Sequence, residues 1–331
     1  DAKGTKYKLI NKYGDLFTAS AEDCDWGGEG VFDVQLTISG TQTNTNAPLS
    51  NPAIGYSGLG GWGFYQPTYE FVNSFIVDAN GLPAADYQDR DPLTIYNEGP
   101  QSDLTTPTDP RLDFCAGRFG VPFLDYGTPA TLDGWVRDYT NGGLYMNKKN
   151  LPKISDRGVT SVATAVSSSA KNYHVIRYAD ILLMRAEIAI HENDLTTALD
   201  LINQVRSRAA NDYVKNEGSS YTLDDKVNGA SKSDAAANYR IGLYTSFANA
   251  TDAHTALERE MRAEFGMEGH RWFDIARWGT AASVLNKFRA FELKQLPKYT
   301  FTYDENWVTF PIPWSELNTA AGRLVQNPNW E

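Results

Sequence analysis

Cysteine is scarce in this chain: Cys24 and Cys115 are the only two in 331 residues, and neither sits in a CxxC pair or a Cys/His set. This excludes a disulfide-built scaffold and a thiolate metal centre. The two thiols either form one bridge or remain unpaired and buried. No run of about 18 apolar residues occurs, so the sequence offers no membrane-spanning helix. Positive charge is also short. Lys and Arg number 30 against 41 Asp and Glu, for a net charge of −11. Nucleic-acid binders and proteins that adsorb to anionic lipid need a basic footprint, so the balance argues against both. No HExxH, GxSxG, Walker A or GxGxxG motif appears. The four histidines, His174, His191, His254 and His270, lie on or beside helical patterns without metal-ligand spacing. They read as hydrogen-bonded or solvated helix residues. The sequence begins without Met, signal peptide or lipidation cysteine, as a processed chain or part of a longer one does.

Aromatics are abundant. They make up 12% of the chain, with 8 Trp and 18 Tyr, and many stand in Gly/Pro-rich stretches rather than in periodic helices. A flat ring offers a large contact area at small entropic cost, which suits sugar-binding and protein-binding surfaces. Residues 5–18 read as the end of a helix and its exit. Residues 30–38 alternate, with Phe32, Val34, Leu36 and Ile38 on one side, as in a strand with one buried face. The Asn/Thr/Gly/Pro-rich residues 40–70 read as loop. A helix with Pro near its start is expected over 67–77, carrying Phe71, Phe75 and Ile76 on one face. From 78 to 165 the chain is long, irregular and rich in Asp, Gly and Pro. A segment of that kind sits on the surface of a scaffold and carries recognition.

Residues 173–210 form the clearest regular unit. YHVIRYADILLMRAEIAI predicts one amphipathic helix, HEND a turn, and LTTALDLINQVRSRAA a second helix. Ala186 and Ala198 match the small-residue positions of a tetratricopeptide-type hairpin, where close helix approach requires small side chains. One hairpin cannot bury its own face and needs neighbours. Residues 215–250 are a polar insertion. Over 251–279 charge and aromatic bulk alternate at helical spacing, predicting a pair of charged helices packed into the body of the protein. Glu258–Arg262, Glu264–Glu268 and Arg271–Asp274 fall on helix-neighbour spacings. Buried ion networks usually hold geometry rather than perform catalysis. The C-terminal run is punctuated by Pro311, Pro313 and Pro328 and reads as extended.

Trp272, Phe273, Trp278, Phe265 and Tyr178 are expected in the core, with Trp314 and Trp330 clamping the C-terminal run to the helices. The loop aromatics are the ligand candidates: Trp62, Tyr65, Tyr87, Tyr96, Trp135 and Tyr139. For any single ring, local packing competes with ligand contact. Asp89, Arg90, Asn97, Arg137, Asp138 and Asn141 supply the hydrogen-bonding types that a stacked sugar needs. The acidic pairs Glu22–Asp23, Asp89–Asp91 and Asp224–Asp225 are the residue types of glycoside hydrolysis, although 41 acidic residues produce such pairs by chance. No cofactor motif is present. The Asp/Asn-rich loops carry the oxygen donors of a structural calcium site, without an EF-hand pattern.

Several stretches together resemble the SusD/RagB family. They are EREMRAEFGMEGHRWFDIARWG at 258–279, RYADILLMRAEIAI at 177–190, VRSRA at 205–209, and PIPWSEL with QNPNW over 311–330. PTYEFVNSFIVDANGLP at 67–83 and DPRLDF at 109–114 are similar to its middle signatures. The order is right across most of the chain. The resemblance implies a mainly helical fold, with a tetratricopeptide-like hairpin scaffold, long irregular loops and short strands. It also implies a surface-exposed outer-membrane lipoprotein of Bacteroidetes-type bacteria. Such a protein is no enzyme; it binds glycans, or alternatively peptides, and acts as a lid on a SusC-like TonB-dependent transporter. The lipidated cysteine and the upstream helices of that family have no counterpart here. Residues 1–331 therefore read as the C-terminal portion of a single SusD-like domain, divided into ligand-face loops at 78–165, the hairpin at 173–210, and the charged helix pair and Pro-rich clamp at 251–331. Against this stand a glycoside hydrolase and a pure protein-interaction scaffold.

Overall fold

The computed structural model describes residues 7–18, 28–39, 42–44, 65–136, 138–149, 151–156, 158, 170–219, 226–227 and 232–330. By internal contact the chain divides into two compact units, Asp1–Glu268 and Gly269–Glu331.

The first unit is built on three helices. Helix α4 spans Tyr178–His191, α5 spans Leu195–Ala209 and α6 spans Ala250–Glu264, and each packs against the other two. Ala186 and Ala198 are fully buried, as close approach of α4 and α5 demands. Asn193, at φ 58°, makes the left-handed bend that ends α4. Asp194 then caps α5, its carboxylate accepting the Thr197 N–H at 3.1 Å. Asn249 caps α6 through the Asp252 N–H at 2.9 Å. Burial of Leu183, Ile202, Val205, Ala253, Leu257 and Met261 joins the three helices.

Small elements surround them. Strand β1 (Gly30–Val34) pairs antiparallel with β8 (Tyr173–Arg177), and β2 (Thr37–Ser39) with β3 (Gln42–Asn44). Strand β4 (Thr94–Tyr96) pairs with β5 (Pro100–Ser102), and β6 (Ala116–Gly117) with β7 (Met146–Asn147). The short helices are α1 (Tyr69–Asn73), α2 (Leu112–Cys115) and α3 (Tyr139–Gly142). The second unit contains α7 (Arg271–Arg277), α8 (Ala281–Glu292) and α9 (Trp314–Thr319), around a core of Ile275, Ala281 and Tyr303.

The structure corrects several expectations. The helix read from Tyr173 starts at Tyr178, because the β-branched and aromatic run YHVIR pairs with β1 instead. In β1, Phe32 is 58% exposed and Val34 47% exposed, while Asp33 turns in to bond His174 at 2.8 Å. A polar partner, not the apolar alternation, sets that face. Residues 7–12 are not helical; only a 3-10 turn at Tyr13–Phe17 forms there. The helix expected over 67–77 is five residues long, capped by Thr68, with Phe75 and Ile76 beyond its end. The C-terminal run is not wholly extended, since α9 begins directly after Pro313, where a proline costs the helix nothing. Phe273 and Trp314 are exposed rather than in a core or clamp, whereas Trp330 donates its indole N–H to the Thr309 carbonyl at 2.8 Å. Cys115 is a buried free thiol; Cys24 lies outside the described residues.

Candidate functional site

The dense charges of 258–268 gather in the interior of the first unit. Glu264 accepts from Arg111 at 3.0 Å and Arg177 at 2.8 Å, and also bonds Arg208. Glu268 takes Arg177 at 3.0 Å and Lys149 at 2.6 Å. Glu260 bridges Arg111 and Arg206, Glu29 bridges Arg177 and Arg208, and Asp109 pairs with Arg111. Five cations thus meet five carboxylates, and the cluster is neutral. Burial alone would raise the carboxyl pKa values. For Glu264, Arg208, Arg177 and Arg111 outweigh burial and hold it at about 2. Glu268 is likewise held at about 2, by Arg177 and Lys149.

The pairing differs from the expected helix-neighbour pattern. Arg262 reaches across to Glu70 rather than Glu258, and Glu264 and Glu268 share Arg177 between them. Asp274 pairs with Arg277 at 3.2 Å. Every ion of the cluster already has opposite-charge partners. The cluster therefore ties α2, β8, α5 and α6 together and leaves no group for a substrate.

The six candidate aromatics separate. Trp62 lies outside the described residues. Trp135 is fully enclosed, edge-on to Phe123 at 5.2 Å, and donates its indole N–H to the Leu144 carbonyl at 2.8 Å. Tyr87 is 4% exposed; its hydroxyl donates to Glu70 at 2.6 Å and accepts from Arg262 at 2.9 Å. The Arg259 guanidinium lies over its ring at 4.3 Å. Tyr87 and Trp135 are therefore packing residues, with no face left for a ligand. Tyr65 is half-buried at φ 59°, and burial, then Tyr173 and Glu268, push its phenol pKa up.

Tyr96 and Tyr139 come together. Their ring centroids are 4.9 Å apart at an interplanar angle of 22°, a stacked pair. Tyr96, on β4, is 48% exposed, and Tyr139 opens α3. Asp138 fixes the start of α3 by accepting the Thr140 N–H at 2.9 Å. The β4–β5 hairpin holds Tyr96, with Asn97 N–H donating to the Gly99 carbonyl at 2.9 Å. Exposed Asn97, Glu98, Thr140 and Asn141 flank the two rings in sequence. The result is a partly exposed aromatic stack edged by hydrogen-bonding groups.

A second aromatic concavity lies within the C-terminal unit. It encloses about 610 Å³ between Trp272, Tyr303, Trp307, Phe310 and Trp330. Its lining is almost wholly apolar, and the Trp330 indole N–H is already committed to a carbonyl. It offers little to a hydroxyl-rich ligand. Among the expected acidic pairs, Asp89 and Asp91 are exposed; Glu22–Asp23 and Asp224–Asp225 lie outside the described residues. Among the described residues, no group of three or more His, Cys, Asp or Glu gathers to hold a metal ion.

The family model for SusD proteins matches residues 28–330. The chain belongs to the SusD family. Solved structures place the mainly helical, tetratricopeptide-like fold beside it. A SusD superfamily protein from Bacteroides vulgatus is 18% identical with a TM-score of 0.58, over 99% of this chain and 56% of that one. A SusD-like carbohydrate binding protein from Bacteroides fragilis is 21% identical with a TM-score of 0.59, over 100% of this chain and 59% of that one. Surface glycan-binding protein A from Bacteroides thetaiotaomicron, in complex with laminarihexaose, is 18% identical with a TM-score of 0.53, over 98% of this chain and 57% of that one. This chain thus spans well under two thirds of their length, and the likeness is one of fold. No curated protein matches it in sequence.

Proposed function

We propose that this SusD-family chain belongs to a non-catalytic glycan-binding protein of the outer-membrane surface. Its lipid anchor would lie outside residues 1–331, and it would deliver oligosaccharide to a SusC-like TonB-dependent transporter. The observation that carries this reading is the Tyr96–Tyr139 stack, with Tyr96 exposed and Tyr139 half-buried, and its polar border. A pyranose ring presents C–H groups on one face, which lie against an aromatic plane, while its hydroxyls reach side groups such as Asn97 and Asn141. The stacked rings cover each other's inner faces, so the pair offers an outer ring face to one sugar unit at a time. Stacking is weak per ring, so Kd falls in the micromolar to millimolar range, about −4 to −8 kcal/mol.

A glycoside hydrolase needs two carboxylates roughly 5–10 Å apart astride the bond it cleaves. Beside the platform, Asp138 is occupied in capping α3, which favours binding over cleavage. The test is calorimetry against a glycan panel that includes laminarihexaose and a peptide mixture, with each sample assayed for hydrolysis products. Glycan binding without cleavage, weakened by Tyr96→Ala, is the expected result. Cleavage would overturn the reading, and binding of peptides alone would move the ligand class.

A further inference from the structure

The first unit holds a cavity of about 660 Å³, lined by parts of the 3-10 turn at Tyr13–Phe17, the segment 122–125, the exit of β7 and the segment 212–219. That size is ordinary for a small-molecule site. Six lysines line it: Lys12, Lys148, Lys149, Lys153, Lys171 and Lys215. Several of them are spoken for, among them Lys171, whose ammonium donates to the Leu151 carbonyl. Lys149 is held by Glu268 and Tyr13, both at 2.6 Å, and Lys215 by Asp234 at 2.8 Å.

Lys148 differs. It is 3% exposed, and its ammonium donates to one backbone carbonyl, Pro122, at 2.7 Å. The Phe123 ring centroid lies 5.9 Å away. No carboxylate of the described residues lies within ion-pair distance. Asp113, whose charge acts on it, is clamped by Arg118 through two bonds of 2.8 Å and by the Tyr239 hydroxyl at 2.6 Å. An ammonium has three N–H donors, so two of these remain for a ligand. Burying a charge without a counter-ion is costly, and structures rarely keep such a charge without a use for it. Burial lowers its pKa to about 8, so the amine stays mostly charged at neutral pH.

The remaining lining narrows the ligand. Phe17 and Phe114 give the cavity an apolar side. Asp212, 5% exposed, spends one oxygen on the Gly14 N–H at 2.8 Å and is an acceptor for hydroxyl or amide groups. With Asp125 and Glu217 it also repels a dianion. Lys148, a buried ammonium with two N–H donors left over, matches one negative charge.

We propose that this cavity binds a small, singly charged carboxylate ligand through Lys148, at a site separate from the Tyr96–Tyr139 platform. The carboxylate could come from a sugar acid or from a peptide C-terminus, and the experiment separates the two. The whole protein is titrated by calorimetry with D-galacturonate, D-galactose, N-acetyl-alanyl-alanine and inorganic phosphate. At least one of the two carboxylates binds, galactose does not, and Lys148→Met weakens the binding at least tenfold while Tyr96→Ala leaves it unchanged. Binding by neither carboxylate, equal binding of galactose, tighter binding of phosphate, or indifference to Lys148→Met would overturn the proposal. Should Lys148→Met fail to fold, lysine ammonium NMR on the unaltered protein gives the same decision. One buried ammonium resonance shifts with the bound carboxylate and not with galactose; an unmoved spectrum refutes the site. Because the platform variant serves as the unaffected control, failure here is distinct from failure of the glycan reading.

Discussion

Glu264→Gln removes one negative charge from the centre of the ion cluster while keeping its shape. Glu264 is fully buried and meets three guanidinium groups, those of Arg111, Arg177 and Arg208. The amide leaves the five cations facing four carboxylates in a dry interior. Removing one partner from a buried pair costs about 3–5 kcal/mol, a large share of the ~5–15 kcal/mol that holds a domain together. The pH dependence makes the prediction sharper. Burial raises the Glu264 pKa, but the three arginines hold it at about 2, below the ordinary 4.5. A carboxyl with a depressed folded-state pKa stabilises the fold above its unfolded pKa and loses that contribution as pH falls through the folded value. At ~1.4 kcal/mol per pH unit, the fall from 4.5 to about 2 corresponds to about 3 kcal/mol. Urea unfolding of both proteins from pH 7 to pH 2.5 is the assay. The gap between wild type and variant is full above pH 4.5 and narrows towards pH 2, where a protonated Glu resembles Gln. A gap under ~1 kcal/mol at pH 7, or one that does not change with pH, would refute the cluster's structural role.

Trp135→Ala destabilises by ~3–5 kcal/mol, since it empties a fully enclosed site; at temperatures where the variant stays folded, its glycan affinity in calorimetry matches wild type. Tyr96→Ala and Tyr139→Ala act the opposite way, moving the melting temperature little and lowering glycan affinity about tenfold, or ~1.4 kcal/mol. At Gly81, φ is +78° and a Cβ would stand 2.4 Å from the Gly242 nitrogen, so Gly81→Ala costs at least ~1 kcal/mol by chemical denaturation. His174 is buried, yet its bond to Asp33 outweighs that and raises its pKa. The pair therefore stabilises the fold below the ordinary histidine pKa and loses that contribution as pH rises through the raised one, and Asp33→Asn abolishes this part of the pH profile.

The helical frame was legible because α4, α5 and α6 obey local rules. Asp194 and Asn249 cap their helices, Ala186 and Ala198 mark close approach, and the buried residues recur at helical spacing. The ion cluster was legible in composition and not in partners, because Arg111 and Glu264 stand 153 residues apart and only the fold joins them. The same limit governed the candidate site. Nothing local distinguishes Tyr96, which finds Tyr139 and solvent, from Tyr87, which finds Glu70, Arg262 and Arg259. Gly/Pro-rich surroundings made Trp135 look like a surface aromatic, yet those turns fold it inward onto Phe119 and Phe123. The lysine-lined cavity has little signature in an acidic chain, its one local signal being the Lys148–Lys149–Lys153 cluster. The C-terminal aromatic concavity joins Trp272 to Trp330, a closure that no spacing announces.

The most direct measurement is a crystal structure of the protein with the tightest-binding oligosaccharide from the glycan panel. The predicted result is sugar density against an outer face of the Tyr96–Tyr139 stack, with hydroxyls reaching Asn97 or Asn141. Sugar bound instead between Trp272, Trp307 and Trp330, with the tyrosine stack bare, would contradict the assignment of the platform as the glycan site.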